Sequence, residues 1–149
     1  MKGEERVKSN NLVEWVFRNE SQVRQAVWER RNDAGGTSGG GCGKSCSTGD
    51  PVANRAIRNA SELPNVVVCY GAGRVFNLRR PERWLKMVEI VQEHYNGGVQ
   101  GKILEQLYKQ GMSNDEVMEN VGVRRTIFFV MKSDILAFAE GVACGLGVL

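Results

Sequence analysis

Two cysteines and a lysine in a glycine-rich stretch are the residues of this sequence with the most obvious chemistry. Gly43-Lys44-Ser45, between Cys42 and Cys46, resembles the end of a phosphate-binding loop. That loop needs a glycine five residues before Gly43, where this chain has Ser38. It also needs a buried strand ahead of it, so that backbone amides can wrap the phosphate, and a charged segment stands there instead. Nucleotide binding is therefore not predicted.

Metal binding is the second chemistry that the cysteines suggest. A structural zinc site needs four ligands, and its cysteines usually stand in shorter or paired spacings than those of Cys42-x-x-x-Cys46. Cys69 and the lone histidine, His94, would join such a set only by coincidence of the fold. We predict no metal, no cofactor and free thiols, Cys144 included, in a reducing compartment. One histidine and no nucleophile beside a base also predict that the chain is not an enzyme and has no catalytic residues.

The composition is that of an ordinary folded protein, with 42% hydrophobic and 25% charged residues in a chain of 149. No run of eighteen apolar residues is present, which predicts that no helix spans a membrane. Segment 1–11 lacks the apolar core of a secretory signal, so we expect a cytoplasmic location and no membrane partner. The net charge of +3 is unevenly placed, because residues 99–149 carry five basic and six acidic side chains.

The elements that would position any site are mainly helices. Apolar residues at helical spacing predict a helix over residues 10–32, with a bend or break near Asn19–Ser21. Its apolar stripe suits either a dimer interface or packing onto the chain's own core. Residues 34–49 hold seven of the eighteen glycines and predict a flexible linker. Asp50-Pro51 is a favourable helix start, and the helix it opens ends before Pro64.

Two short strands and a further helix follow. Residues 66–70 and 74–78, joined by Gly71-Ala72-Gly73, predict a short β-hairpin. Pro81 starts a helix that Asn96-Gly97-Gly98 ends. The predicted fold is thus mainly α, with a helical N-terminal part, a short β-hairpin and a C-terminal three-helix unit. The predicted segments are 1–33 (helical), 34–49 (linker), 50–98 (helical middle region) and 99–149 (the C-terminal unit).

The C-terminal unit carries the most informative pattern of the chain. Ser113 and Glu116 form a capping box at the start of a helix that ends near Val121. Gly122-Val123 then forms a turn, and a longer helix begins near Arg124. A short helix, a glycine turn and a longer helix are typical of a helix-turn-helix.

The apolar spacing favours the same arrangement. In a two-helix DNA-binding motif the residues at fixed offsets point inward, and here those offsets fall on Val117, Val121, Gly122, Val123, Phe128 and Met131. The stripe continues through Ile135, Phe138 and Val142. Outward positions, where arginine pairs with guanine edges or phosphates and threonine bonds either, are then Arg124, Arg125, Thr126, Phe129 and Ser133. The alternative is a helical hairpin with a glycine turn and no role in DNA binding.

This block also resembles a known family, the phage late-gene transcriptional regulators of the RinA and ArpU type. The C-terminal block of that family is similar to region 4 of sigma-70-like factors. The residues that carry the resemblance are Met112-Ser113-Asn114-Asp115-Glu116-Val117, Val121-Gly122-Val123, Thr126, Phe128-Phe129, Lys132 and Phe138-Ala139. The family commonly has a pair of tyrosines in place of Phe128-Phe129, and a basic run in place of Lys132-Ser133-Asp134. Asp50-Pro51, Ala56-Ile57 and Pro81–Leu85 resemble segments ahead of the helix-turn-helix in related phage proteins.

The resemblance implies a prophage-encoded, sequence-specific DNA-binding transcriptional regulator that acts at a promoter, with double-stranded DNA and RNA polymerase as partners. The predicted DNA-binding residues, on the helix that starts near Arg124, are Arg124, Arg125, Thr126, Phe129, Lys132 and Ser133. Two alternatives stay open: a small terminase subunit of a phage, which acts in DNA packaging as a ring, and a helical adaptor that binds only protein. A homo-oligomer is compatible with each of these functions.

Overall fold

The computed structural model describes residues 9–33 and 61–149 of the chain. The described part is mainly helical and contains one two-stranded antiparallel hairpin, as predicted. The glycine-rich segment with Cys42 and Cys46, and the helix predicted from Asp50, lie outside the described residues. The elements in chain order are α1 (Ser9–Arg18), α2 (Glu20–Asp33), β1 (Asn65–Tyr70), β2 (Arg74–Arg79), α3 (Pro81–His94), α4 (Val99–Leu104), a π-helical segment (Glu105–Lys109), α5 (Asn114–Val121) and α6 (Arg125–Gly145).

The described residues fall into two compact units. The larger comprises residues 9–20 and 83–149, and the smaller comprises residues 21–33 and 61–82. None of the described helices is both long and apolar enough to cross a membrane. The predicted segment boundaries at residues 33, 49 and 98 stay predictions.

The smaller unit contains the hairpin, whose register is set by alternating side chains. Val66 lies opposite Leu78 and Val68 lies opposite Phe76. Val66, Val68 and Leu78 are buried, because side chains alternate between the two faces of a strand. Gly71 and Gly73 in the connecting turn have φ of +55° and +77°, a conformation that glycine adopts without steric cost. The predicted hairpin is therefore confirmed, one residue longer at each outer end.

A charged contact ties α2 to the start of α3 in the same unit. The guanidinium of Arg31 donates hydrogen bonds to the Glu82 carboxylate, at 2.8 Å from Nε, and to the Ser61 carbonyl at 3.1 Å. The Leu63 amide also donates to Glu82, at 3.4 Å. These bonds link three segments distant in sequence, and they use a carboxylate from the first turn of α3, where the helix dipole favours negative charge.

The larger unit is built around apolar faces of its helices. The break predicted between the first two helices is confirmed at Asn19, whose amide side chain donates to the Trp15 carbonyl at 2.8 Å. Helix α1 contacts α6 and the π-helical segment, while α4 contacts α5 and α6. The fully or nearly fully buried side chains of this unit include Val13, Val16, Phe17, Trp84, Met87, Val88, Val91, Ile103, Leu107, Val117, Phe128 and Ile135.

The turn between α3 and α4 brings two backbones unusually close together. Helix α3 ends at His94, and Gly97 follows with φ +80°, so the predicted glycine stop is confirmed. A Cβ atom on Gly101 would lie 2.3 Å from the carbonyl oxygen of Tyr95. Only glycine allows α4 to approach the end of α3 at this distance. At the other end of α3, the Arg83 guanidinium donates to the Leu146 carbonyl at 2.8 Å and satisfies the C-terminus of α6.

Candidate nucleic-acid interface

Helix α5 begins with the capping box that the sequence predicts. The Ser113 hydroxyl accepts a hydrogen bond from the Glu116 amide, and the Glu116 carboxylate accepts one from the Ser113 amide, each at 3.3 Å. Because both orphan amides are satisfied, the start of α5 is fixed at Asn114. Val117, one turn further along, is fully buried and holds the helix against the core of the unit.

A left-handed glycine connects α5 to α6. Gly122 has φ +74° and ψ +32°, and the amides of Gly122 and Val123 both donate to the Met118 carbonyl, at 2.9 and 3.3 Å. Arg124 is extended, with φ −72° and ψ +153°, and its side chain makes no capping hydrogen bond to α6. Two residues, Val123 and Arg124, therefore separate the turn glycine from the first residue of α6.

The buried face of α6 differs in part from the predicted stripe. Phe128 and Ile135 are buried, as expected, but the face continues through Ala139 and Ala143. Phe138 and Val142, which the stripe predicted inward, are half-buried at its edge. The Phe138 ring stacks on His94, with 4.2 Å between centroids. The buried face of the last three turns of α6 is thus centred on Ala139, and not on the large apolar residues that the predicted stripe follows.

The first turns of α6 carry exposed side chains around most of the helix. We call these the α6 surface, and its members are Arg124, Arg125, Thr126, Ile127, Phe129, Val130 and Ser133. Five of the six predicted DNA-binding residues belong to it. No carboxylate occurs between Arg124 and Ser133, and the first one in the helix is Asp134. Within residues 9–33 and 61–149, neither Arg124 nor Arg125 forms an ion pair with another side chain.

Two aromatic contacts order the α6 surface. The Arg125 guanidinium lies 5.5 Å from the centroid of the Phe129 ring, a cation–π contact between residues four apart in the helix. The Phe129 ring in turn meets the buried Phe128 ring edge-on, with 5.3 Å between centroids. Phe128 therefore anchors Phe129, and Phe129 limits the positions open to Arg125.

Lys132, the sixth predicted residue, lies apart from the others. Its ammonium nitrogen is 3.2 Å from the Glu14 carboxylate of α1, and its side chain is only 16% exposed. The same carboxylate accepts hydrogen bonds from Arg18 at 3.0 Å and from the Tyr108 hydroxyl at 3.4 Å. The contact that the structure gives Lys132 is therefore with another helix of the same unit, and the charge of Lys132 is largely neutralised there.

Glu14 is the residue of this region that sequence reasoning did not single out. Burial of its carboxyl raises the pKa, but hydrogen bonds from Arg18 and Lys132 and their positive charges outweigh this effect, so the pKa lies below the ordinary value of 4.5. Burial and the Glu14 charge raise the pKa of the Tyr108 phenol. The spacing of Glu14 and Arg18, four residues apart on a helix, is a visible sequence signal. The contact with Lys132 has no such signal because the two residues are far apart in the chain.

The groups available for metal binding or catalysis are few in the part of the chain that the structure describes. No three His, Cys, Asp or Glu side chains there converge on a metal site. Cys69 and Cys144 are free and exposed. An open groove of about 640 Å³ lies beside the turn between α3 and α4, and its lining has carboxylates, amides and two lysines but no histidine, cysteine or hydroxyl side chain. The α6 surface is thus the best-formed candidate site.

Comparison with known proteins adds no relative to this picture, because no family model, no curated protein and no solved structure matches the chain.

Proposed function

We propose that this chain binds double-stranded DNA, with α5 and α6 acting as a helix-turn-helix and the N-terminal turns of α6 lying in the major groove. The observation that carries the proposal is the α6 surface. It exposes two arginines, two hydroxyl groups and no carboxylate over Arg124–Ser133, directly after the left-handed turn at Gly122. A B-DNA major groove is wide enough for one helix, and its base edges and flanking phosphates are the partners of these groups.

The burial of α6 supports this orientation. Phe128 and Ile135 hold the inner face of the helix on the core, so the outer face of its first turns is free to contact a ligand. Val117 is fully buried, and the capping box fixes the start of α5. In a helix-turn-helix the first helix crosses the DNA backbone while the second enters the groove. The proposed contacts are therefore Arg124, Arg125, Thr126, Phe129 and Ser133, and the proposal leaves out Lys132 because Glu14 already binds it.

The charge balance sets an expectation for affinity. Residues 99–149 carry one more acidic than basic side chain, and Asp115, Glu116 and Glu119 of α5 are exposed. Phosphate attraction by the whole segment is therefore weak, and Arg124 and Arg125 must supply most of it. Each phosphate contact contributes about 0.9 to the slope of log affinity against log salt concentration. We expect these two arginines to account for about 2 of that slope.

The biological class of the proposal rests on the resemblance to RinA and ArpU. We infer that the chain is a prophage-derived, sequence-specific transcriptional regulator that acts at a promoter alongside RNA polymerase. A second candidate, an adaptor that binds protein through the α6 surface, is favoured by one observation: Ile127, Phe129 and Val130 are large apolar side chains exposed on that surface. An adaptor would show no salt-dependent affinity for DNA.

Fluorescence anisotropy with labelled duplex DNA across a salt series tests the proposal. The wild-type chain should bind, and its affinity should fall as salt rises, with a slope of about 2 or slightly more in log affinity against log salt concentration. An Arg124→Ala/Arg125→Ala double variant should lose about 1–3 kcal/mol of binding free energy. Its slope of log affinity against log salt concentration should also be smaller than that of the wild type by about 2. An Arg74→Ala/Arg79→Ala variant is the matched control, because it removes two exposed arginines from the hairpin. Absence of binding at low salt, or equal losses in the two variants, would contradict the proposal.

A further inference from the structure

The centre of the α6 surface is apolar, although a surface that binds a polyanion is expected to be polar. With about 100° of rotation per residue, Thr126 and Val130 each lie about 160° around the helix from the buried Phe128. They therefore occupy the part of the helix that points most directly away from the core. Val130 is 56% exposed, and Ile127 and Phe129 flank it with exposures of 46% and 36%. One of the two residues that point most directly outward is thus a valine.

A valine in this position makes no hydrogen bond, so it distinguishes base pairs only by apolar contact. The one apolar group on the floor of the major groove is the 5-methyl group of thymine. Around Val130, the hydroxyl groups of Thr126 and Ser133 are exposed on the same face. Arg124 and Arg125 lie one to two turns before Val130 and bring positive charge to the start of the helix. An apolar residue between two hydroxyl groups, with positive charge at the helix start, matches a groove in which methyl groups lie between polar base edges and phosphates.

We propose that Val130, with Ile127 and Phe129 beside it, contacts thymine methyl groups and so makes A·T base pairs a requirement at the centre of the DNA site. This inference rests on the proposed function and names the bases that the same surface recognises. Charge complementarity favours DNA over an apolar protein partner as the occupant, because the apolar residues follow two arginines that form no ion pair within the described residues, and α6 has no carboxylate before Asp134. The cation–π contact of Arg125 with Phe129 couples the charged and apolar parts of the surface.

The test uses a duplex pool with a random core, from which the full chain selects its preferred sequences. The selected pool is then amplified twice, once with thymidine triphosphate and once with deoxyuridine triphosphate, so that the second copy differs only by the missing methyl groups. Burial of one methyl-sized group changes an equilibrium about fourfold. We expect the uracil pool to bind at least about fourfold more weakly for each methyl contacted, at a salt concentration where both affinities are measurable.

Two variants test whether Val130 causes the preference for the thymine pool. Val130→Ala should show a smaller preference for the thymine pool than the wild type, because the central apolar contact is shortened while Ile127 and Phe129 remain. Val75→Ala, at a valine of the hairpin that is 64% exposed, should keep the wild-type preference for thymine. Both positions are exposed, so both variants should fold, and circular dichroism checks that they do.

The outcomes separate this inference from the function on which it rests. Salt-dependent DNA binding with equal affinity for the two pools, or failure of any sequence to enrich, would overturn the methyl contact and leave DNA binding in place. A preference for thymine that is as large in Val130→Ala as in the wild type would overturn the assignment to Val130. If the chain binds neither pool at low salt, the proposed function itself fails, and the methyl contact fails with it.

Discussion

Replacement of Gly101 by alanine tests the closest backbone contact of the larger unit, and two effects of opposite sign decide the result. A Cβ atom at this position would lie 2.3 Å from the Tyr95 carbonyl oxygen and 3.2 Å from its carbonyl carbon. Even close carbon–oxygen contacts in proteins are about 3.3 Å, so the backbone must move by about 1 Å. Because the obstacle is main chain, no rotamer change relieves it. Overpacking of this kind costs about 1–3 kcal/mol.

Helix propensity acts in the other direction, since alanine is about 1 kcal/mol more favourable than glycine within a helix. Gly101 lies in the first turn of α4, where this gain is smaller. We therefore expect Gly101→Ala to lower the free energy of unfolding by about 1–2 kcal/mol. Gly141 provides the matched control, because it lies within α6 and an added Cβ would meet nothing within 4 Å. Gly141→Ala should raise the free energy of unfolding by about 0.5–1 kcal/mol.

Urea denaturation followed by circular dichroism measures both variants, and the comparison is valid where the slope with urea is unchanged. Opposite signs for the two substitutions would support the close approach of α4 to the end of α3. Gly101→Ala could instead be as stable as the wild type, or more stable, as expected for Gly141→Ala. Either result would contradict the close approach of Gly101 to the Tyr95 carbonyl. The position of α4 against α5 and α6 would then need to be redrawn.

Two further predictions concern the residues that hold α6 in place. Phe128→Ala should lower the free energy of unfolding by about 3–5 kcal/mol because its side chain is fully buried. Phe129→Ala should lower the free energy of unfolding by about 1 kcal/mol or less. Urea denaturation measures both variants, and similar losses for Phe128→Ala and Phe129→Ala would contradict the assigned inner face of α6. Since the folded-state pKa of Glu14 is lowered, the stability it contributes is present above its unfolded value, near 4.5, and is lost as the pH falls through the lower folded value. Unfolding free energies measured from pH 6 to pH 3 should therefore fall less for Glu14→Gln than for the wild type, and parallel curves would argue against the pairing with Lys132.

Several elements were predictable because their causes are local. The hairpin follows from two β-branched or aromatic runs around Gly71-Ala72-Gly73, and the start of α5 follows from the pairing of Ser113 with Glu116 over three residues. The stop at Gly122 needs only the left-handed conformation that glycine adopts freely. In each case the residues that determine the element lie close together in the chain, so their order and spacing in the sequence are enough to predict it.

The features that escaped prediction depend on contacts between distant segments. Lys132 was placed with the DNA-binding residues through the resemblance to the RinA and ArpU type, yet its partner is Glu14, more than a hundred residues earlier. The inner face of α6 was assigned to its largest apolar residues, whereas Ala139 and Ala143 are buried there. Small residues contribute little to an apolar periodicity, so a stripe drawn from large side chains assigns the wrong face of the helix to the core. The π-helical turn at Glu105–Lys109 has no local cause that we can identify in the sequence.

Because Lys132 binds Glu14 and does not belong to the α6 surface, the proposed site would achieve specificity in a different way. With Lys132 bound to Glu14, only Arg124 and Arg125 supply positive charge at the first turns of α6, so the sequence-independent attraction to phosphate is small. A surface of this kind gains little affinity on random DNA. Contacts with base edges and methyl groups must then provide a larger share of the binding energy, and each mismatched base pair, at about 1–3 kcal/mol, removes a larger fraction of it. Two arginines ahead of an exposed valine therefore favour weak binding to random duplexes and sharp discrimination among selected ones.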